Sequence, residues 1–339
     1  MERIWIAGPC AAESRGQVLT TAAQLVEQSK VAGISLTLFR AGAWKARSTP
    51  AAFCGAGEDA LPWLREVQEL YGLPVCVEVM NAGQVELCAK QGIHAVWVGA
   101  RTAVNPSEVQ QIADAVRGSD FTVLVKNPII PDLKLWIGNI ERFRQAGIRK
   151  VMAVHRGFTD ALENVYRNAP LWQIPIELKV RMPELPILCD PSHLCGQVKW
   201  IPQVAQLAMN YGFNGLMTEC HCSPEQALSD SGQQLTPAAW VEMVSGLDLR
   251  DDTPDLALVK QRAKLENIDN QLSELLYQRM MISDEIADIK RENHIAVVQP
   301  QQWQQVVKRY QTHPEDIAYQ EFIDKFLELL HQSSIERQQ

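Results

Sequence analysis

The feature that most constrains the fold is a series of eight apolar, strand-type segments, each followed by a stretch with helical spacing. The segments begin at residues 3, 35, 74, 95, 121, 150, 187 and 215. Strands that are apolar almost throughout are typical of a parallel sheet covered by helices. Eight such units predict an α/β fold, a closed (β/α)8 TIM barrel. An open doubly wound sheet is the alternative, but no GxGxxG follows the first strand to favour a dinucleotide-binding fold.

The alternation ends at a charged segment that contains Pro254, and we interpret residues 249–256 as a linker. Only helical patterns follow, over about 256–293, 299–311 and 314–336. We therefore predict a barrel domain over 1–248 and a small all-α helical domain over 257–339. The first helix of the second domain is too long to be stable alone and needs a partner helix.

Composition excludes several classes of protein. A formal net charge of -8 argues against a nucleic-acid-binding surface. No apolar run approaches the roughly 18 residues that a membrane span requires. The first strand begins almost at Met1, which leaves no signal peptide, and the 8 cysteines are scattered as if reduced. We therefore expect a cytoplasmic protein without nucleic-acid or membrane partners.

Cys10 follows the first strand, after a Gly-Pro break in IWIAGPCAAE. In a barrel, residues just beyond the C-terminal ends of the strands surround the ligand site. Three further side chains lie near the ends of later apolar runs, namely His193, Glu219 and Asp230. One thiolate, one imidazole and two carboxylates suit a borderline divalent metal (Mn, Fe, Co or Zn). The alternative is that Cys10 is an inert buried thiol.

Cationic side chains end four of the apolar strands. They are Arg40, Arg101, Lys126 and Arg156, and Lys45 and Arg47 lie on the loop after the second strand. A strand that exits into solvent often ends in a charge. Their repetition in an acidic chain nevertheless predicts a positive pocket for multiply anionic ligands such as phosphates.

Seven motifs together resemble those of a known enzyme family. They are GPCAAES, FRAGAWKARST, VGART, VKNP, VHRGF, CDPSH and TECHCSPEQALSD. Over roughly residues 3–247 their order and spacing resemble the 3-deoxy-D-arabino-heptulosonate 7-phosphate (DAHP) synthases, the first enzymes of the shikimate pathway. The resemblance implies four metal ligands: Cys10, His193, Glu219 and Asp230. It implies contacts to phosphoenolpyruvate from Arg40, Lys45, Arg101, Lys126 and Arg156, and contacts to erythrose 4-phosphate from Arg47 and Ser48. Lys45 would also be catalytic.

The loop that begins at Lys45 departs from the pattern of that family. Many relatives have Lys-Pro-Arg-Thr, whereas this chain has Ala46 and Ser48 in place of the proline and the threonine. Ala46 gives up the fixed φ of proline, so the loop is expected to be less rigid. The 3-deoxy-D-manno-octulosonate 8-phosphate synthases share most of these residues and remain the alternative. They typically carry an extra Asn between the lysine and the arginine, so the spacing here favours the four-carbon sugar.

Charged residues recur along the first helix of the tail. Arg262, Asp269, Arg279 and Lys290 are separated by 7, 10 and 11 residues. Arg279 and Lys290 share one face about 16 Å apart, which leaves a gap for a small dicarboxylate. The alternative is a solvated charged helix.

This pattern resembles the all-helical chorismate mutases, whose long helices intertwine in a homodimer. The resemblance implies catalytic roles for Arg279 and Lys290 of one chain and for Arg262 of the other, with Gln338 also binding chorismate. The two resemblances together predict a bifunctional enzyme of aromatic amino-acid synthesis.

One segment of the tail departs from the mutase pattern. Gln299, Gln302 and Trp303 replace the Asp, Arg and Glu that relatives often have. Turnover is therefore expected to be weaker or to use different contacts. A tail that only dimerises and senses an effector is the alternative.

Overall fold

The structure, a computed structural model, describes residues 3–45, 53–159, 165–249, 256–313 and 315–338. The chain divides into two compact units, Met1–Asp252 and Thr253–Gln339. Their boundary lies inside segment 249–256, most of which is outside the described residues. None of the helices in the described ranges combines the length and the hydropathy that crossing a bilayer would require.

The predicted closed barrel of eight parallel strands is confirmed. The strands are β1 (Ile4–Gly8), β2 (Leu38–Ala41), β3 (Val75–Val79), β4 (Ala95–Val98), β5 (Thr122–Lys126), β6 (Lys150–His155), β7 (Ile187–Cys189) and β8 (Gly215–Glu219). Each strand pairs with the next, and β8 pairs with β1 to close the sheet. β2 begins later than predicted, because Leu38 is its first residue to pair with β1, opposite Ile6.

Nine α-helices within the described residues accompany these strands. They are α1 (Arg15–Val31), α2 (Ala60–Tyr71), α3 (Ala82–Lys90), α4 (Pro106–Ala115), α5 (Leu133–Gln145), α6 (Gln173–Arg181), α7 (Pro191–Cys195), α8 (Ile201–Asn210) and α9 (Pro237–Ser245). Side-chain caps fix several helix starts; Ser14, Asn81 and Asp132 each accept a backbone N–H from the first turn that follows. These helices bury the outer face of the barrel.

Alternation along the strands decides which side chains fill the barrel. Ten buried residues form its interior: Ile6, Leu38, Cys76, Ala95, Trp97, Leu124, Met152, Val154, Leu188 and Met217. The alternate positions, such as Val77 and Val123, pack against the helices. The next residue with the inward phase therefore lies at the C-terminal mouth of the barrel. These eight residues, which we call the mouth layer, are Gly8, Arg40, Glu78, Gly99, Lys126, Arg156, Asp190 and Glu219.

The second unit contains the three helices predicted for the tail. They are α10 (Leu256–Glu292), α11 (Pro300–Tyr310) and α12 (Ile317–Arg337). Ile323, Leu327 and Leu330 of α12 form the small buried core, against which Leu276 and Val306 pack. Among the side chains of α10 that the structure describes, most apolar ones stay outside this core.

Gly215 lies where β8 pairs with β1, and the backbone there leaves no room for a side chain. It pairs with Ile4 of β1, and an added Cβ would overlap the carbonyl group of Ile4. We expect Gly215→Ala to lower the free energy of unfolding of the barrel by about 3 kcal/mol, measured by chemical denaturation. Gly138→Ala in α5 is the matched control. An added Cβ there meets nothing within 4 Å, so it should raise stability by about 0.5–1 kcal/mol. Equal stability of the two variants would contradict this account.

Candidate active sites

Three of the four predicted metal ligands meet at the mouth of the barrel, and the fourth, His193, lies beside one of them. The ligand atoms of Cys10, Glu219 and Asp230 all lie within 4.8 Å of one another, and Cys10 Sγ is 3.1 Å from Asp230 Oδ2. His193 joins them through Glu219, with 3.5 Å between its Nε2 and Glu219 Oε1. We call these four residues the ligand set.

Barrel closure and one helix cap place the ligand set. Gly8 of β1 pairs with Glu219 of β8, which brings the residues after β1 beside the end of β8. Asp190 caps α7 and accepts from the N–H of His193 at 3.0 Å; its Oδ2 lies 2.8 Å from the ring Nδ1 of His193. A carboxylate on one ring nitrogen is the usual partner of a metal-binding histidine, because it orients the other nitrogen toward the ion. The donor types and this orientation fit a borderline divalent metal.

Burial and neighbouring charges act against each other in the ligand set. Burial raises the pKa of the Cys10 thiol. Burial also opposes the charge on Glu219, but His193, Arg40 and Lys45 outweigh it and lower the pKa of Glu219 to about 2. The pKa of Asp230 is likewise lowered, since Lys45 and other neighbours overcome its desolvation. Both carboxylates are therefore ionised at neutral pH.

Three of the predicted substrate-binding cations are buried in the mouth layer. Arg40, Lys126 and Arg156 are 1%, 4% and 8% exposed. Arg40 Nη2 donates to Glu219 Oε1 at 3.1 Å, and Lys126 Nζ donates to Asp190 Oδ2 at 2.6 Å. The Arg40 guanidinium and the Lys126 ammonium also lie 4.8 Å and 5.7 Å from the ring centroid of Trp97. Burial lowers the pKa of Arg156 to about 10.

The other predicted barrel residues lie in different surroundings. Lys45 is buried; its ammonium donates to Cys10 Sγ and lies 3.4 Å from Asp230 Oδ2. Arg101 is exposed, in the turn after β4. The predicted sugar-phosphate contacts, Arg47 and Ser48, lie outside the described residues.

The cation pattern predicted a positive pocket, but the mouth layer also contains negatively charged side chains. The carboxylates of Glu78, Asp190 and Glu219 share it with the three cations. Sequence reasoning missed Glu78 and Asp190 as site members. Both have the inward phase of their strands, two residues after the interior residues Cys76 and Leu188, and this signal identifies them.

The helical unit contains a cavity of about 390 Å³, which is the second candidate site. Its lining includes the predicted Arg279, Lys290 and Gln338 and also the three departing residues, Gln299, Gln302 and Trp303. Lys290 Nζ donates to Gln338 Oε1 at 2.9 Å and to Val297 O at 2.7 Å. The cavity size and the two cations suit a small anionic ligand.

Two residues that sequence reasoning did not assign also line this cavity. Ser334 accepts from Arg279 Nη1 at 2.9 Å, and the ring of His331 stacks on Trp303 with centroids 3.9 Å apart. Arg262 does not line the cavity. It is exposed, about 25 Å along α10 from Arg279 at 1.5 Å per residue.

Two known families match the chain, one on each side of the predicted linker. The sequence model described as the DAHP synthetase I family matches residues 2–249. The sequence model described as chorismate mutase type II matches residues 261–339.

Individual relatives resemble the barrel unit. A phospho-2-dehydro-3-deoxyheptonate aldolase of Thermotoga maritima is 30% identical over 240 residues, which cover 70% of this chain and 67% of the relative. A 2-dehydro-3-deoxyphosphooctonate aldolase of Rhodopseudomonas palustris is 29% identical over 247 residues, or 68% of this chain and 82% of the relative. The crystal structure of a Thermotoga maritima phospho-2-dehydro-3-deoxyheptonate aldolase (DAHP synthase) superimposes with a TM-score of 0.62 and 29% identity, over 71% of this chain and 67% of that one.

Proposed function

Because the chain belongs to the DAHP synthetase I family and ends in a chorismate mutase type II domain, we propose that it catalyses two reactions of the shikimate pathway. The barrel, over 1–248, condenses phosphoenolpyruvate with erythrose 4-phosphate to DAHP and phosphate. The helical domain, over 257–339, rearranges chorismate to prephenate. All eight cysteines are free thiols, which supports a reducing compartment, the cytoplasm, as the location.

The observation that carries the barrel reaction is the ligand set next to buried cations. Cys10, His193, Glu219 and Asp230 would hold a divalent metal, which supplies an electrophile that orients and polarises the sugar aldehyde. Lys45 contacts both Cys10 and Asp230 of the ligand set and would stabilise the negative charge that develops on the aldehyde oxygen.

The cations of the mouth layer would hold phosphoenolpyruvate through its carboxylate and phosphate. Arg40, Lys126 and Arg156 are fixed by burial and by hydrogen-bond partners from other parts of the barrel, so they need little reorganisation to bind. The enol carbon of phosphoenolpyruvate then forms the new bond to the aldehyde carbon. The aldehyde π bond opens in this step, and its oxygen takes up a proton. Water adds to the cationic carbon that results and loses a proton, and the hemiketal then loses its second hydroxyl proton as the carbon–oxygen bond to phosphate breaks, so that a ketone and phosphate remain.

The sugar substrate needs a direct assay, because both heptonate and octonate aldolases are similar to the barrel unit. The Lys-x-Arg spacing from Lys45 to Arg47 supports the four-carbon sugar. We expect faster phosphate release from phosphoenolpyruvate with erythrose 4-phosphate than with arabinose 5-phosphate, compared as kcat/KM. A preference for arabinose 5-phosphate would assign the barrel to the octulosonate alternative.

Metal removal provides a second test. Treatment with EDTA should abolish DAHP synthesis, and Mn, Fe, Co or Zn should restore it. Cys10→Ser should bind the metal more weakly, because a hydroxyl is a poorer ligand for a borderline ion than a thiolate. The mutase activity of the same protein is the internal control and should survive chelation. Full synthase activity in metal-free protein would refute the metal role.

The mutase proposal depends on the cavity of about 390 Å³ between cationic side chains. Arg279 and Lys290 would bind the carboxylates and the ether oxygen of chorismate and hold it in the reactive conformer. Gln338 lies within hydrogen-bond distance of Lys290 and would contact the same ligand. The neutral Gln299, Gln302 and Trp303 leave fewer charges in the cavity, so an effector-sensing role is the alternative.

The proposed homodimer follows from the apolar side of α10. Eight aliphatic residues follow a spacing of three, four or seven and are between 41% and 62% exposed: Leu258, Leu265, Ile268, Leu272, Leu275, Ile282, Ile286 and Ile289. This spacing is typical of a helix that packs along another helix. Such a long exposed seam favours pairing with a second copy. Arg262, which lies outside its own cavity, would then enter the cavity of the partner.

Subunit mixing tests the borrowed arginine. Arg262→Ala and Arg279→Ala chains should each be inactive as mutases, because every homodimer site lacks one arginine. After mixing, one of the two sites in a heterodimer contains both native arginines, so mutase activity should reappear. Subunit exchange is verified separately with differently tagged chains. No recovery despite exchange would refute the borrowed arginine, and a wild-type protein inert toward chorismate would favour the sensor.

A further inference from the structure

Arg167 and Asn168 lie between β6 and α6, in a segment without a periodic pattern. Their backbone N–H groups donate to Cys195 O and Leu194 O of α7, each at 3.1 Å. Two glycines make room for them. An added Cβ on Gly196 would lie 2.6 Å from Arg167 Cβ, and one on Gly157 would lie 2.8 Å from Asn168 Cβ. The two residues, which we call the Arg167–Asn168 pair, are therefore held against the helix that carries His193.

The Arg167 side chain reaches two residues of the ligand set. Its Nη1 donates to Asp230 Oδ1 at 3.0 Å and to Gln233 Oε1 at 2.8 Å. The amide of Gln233, which is 1% exposed, in turn donates to Glu219 Oε2 at 2.7 Å. One guanidinium thus fixes Asp230 directly and Glu219 through a buried amide.

The held oxygens are those on the far side of each carboxylate. Arg167 contacts Asp230 Oδ1, whereas Asp230 Oδ2 lies 3.1 Å from Cys10 Sγ. Gln233 contacts Glu219 Oε2, whereas Glu219 Oε1 lies 3.5 Å from His193 Nε2. In both side chains the second oxygen is turned toward the other ligands. Asp230 also has a φ of 50°, in the left-handed region that aspartate adopts only occasionally, so its orientation needs support.

Asn168 connects the same segment to the third ligand and to a substrate-binding cation. It is 7% exposed; its Nδ2 donates to His193 O at 2.7 Å, and its Oδ1 accepts from Arg156 Nη1 at 2.8 Å. A single amide thus holds the backbone of a metal ligand and the guanidinium proposed to bind phosphoenolpyruvate.

We propose that the Arg167–Asn168 pair is a positioning device that sets Asp230, Glu219 and His193 for metal binding and aligns them with Arg156. This inference rests on the proposed metal site of the barrel. It predicts that replacing Arg167 changes the affinity for a divalent metal in the direction opposite to that expected from charge alone. Removal of a cation beside two metal-binding carboxylates should, by charge alone, strengthen the binding of a divalent metal. Loss of positioning should weaken it.

The experiment titrates cobalt(II) chloride into metal-free, full-length protein and follows the absorption of the Cys10 thiolate–cobalt bond and the ligand-field bands. Arg167→Ala should weaken cobalt binding about 10- to 100-fold, the usual effect of removing an outer partner of a metal ligand, and should alter the ligand-field bands. Arg167→Gln keeps a hydrogen-bond donor without the charge and should retain more affinity than Arg167→Ala. Arg144→Ala is the matched control. It breaks an exposed pair with Glu184, 2.8 Å apart, and should bind cobalt like the wild type.

A second variant tests the other half of the device. Asn168→Ala should raise the KM for phosphoenolpyruvate several-fold more than the KM for the sugar phosphate, because Arg156 loses its partner. Circular dichroism of each metal-free variant verifies that the barrel is folded. If Arg167→Ala does not fold, Arg167→Met, which keeps most of the side-chain length without a donor or a charge, takes its place in the comparison.

The outcomes separate the inference from the function on which it rests. Wild-type protein with a Cys10-dependent cobalt spectrum, together with equal or tighter binding by Arg167→Ala or, where that variant does not fold, by Arg167→Met, would overturn the positioning role alone. Wild-type protein that binds no cobalt would overturn the metal site and the positioning role with it. Weaker binding in Arg167→Ala beside unchanged binding in Arg144→Ala would support both.

Discussion

The closure of β8 onto β1 is the constraint on which the barrel unit depends. It forces every second side chain of eight strands into one interior, and six of the eight residues of the mouth layer are charged. Buried charges are costly unless they are paired. Arg40 with Glu219 and Lys126 with Asp190 meet this requirement across different strands. Such pairs contribute little net stability compared with apolar packing, so their presence at the mouth indicates a functional role.

The same closure brings two residues of the ligand set together. Cys10 and Glu219 are separated by almost the whole barrel sequence, yet the register Gly8–Glu219 makes them neighbours. In an open sheet with sequential strands, β1 and β8 would lie at opposite edges, and a site that uses both would not form. The proposed metal site therefore requires the closed barrel.

The elements and side chains that follow a regular strand or helix period could be predicted from the sequence. Apolar runs and helical spacing predicted the strands and helices, and the inward phase accounts for Arg40 and Lys126. The same phase marks Glu78 and Asp190, which belong neither to the cation series nor to the predicted ligand set. Arg101 follows the same numerical phase but is exposed, since β4 ends at Val98 and the alternation ends with it. Arg167 and Asn168 lie in a segment without a period, so only the folded chain reveals their contacts.

The helical unit builds its site under a different constraint. Its own core is small, and the aliphatic seam of α10 remains exposed in one chain. Under the proposed homodimer, a cavity that contains Arg279 becomes complete only when a second chain supplies Arg262. A ligand that binds only the complete cavity must then stabilise the dimer by mass action. Association and ligand binding are therefore linked in the helical unit, whereas the ligand set of the barrel is assembled within one chain.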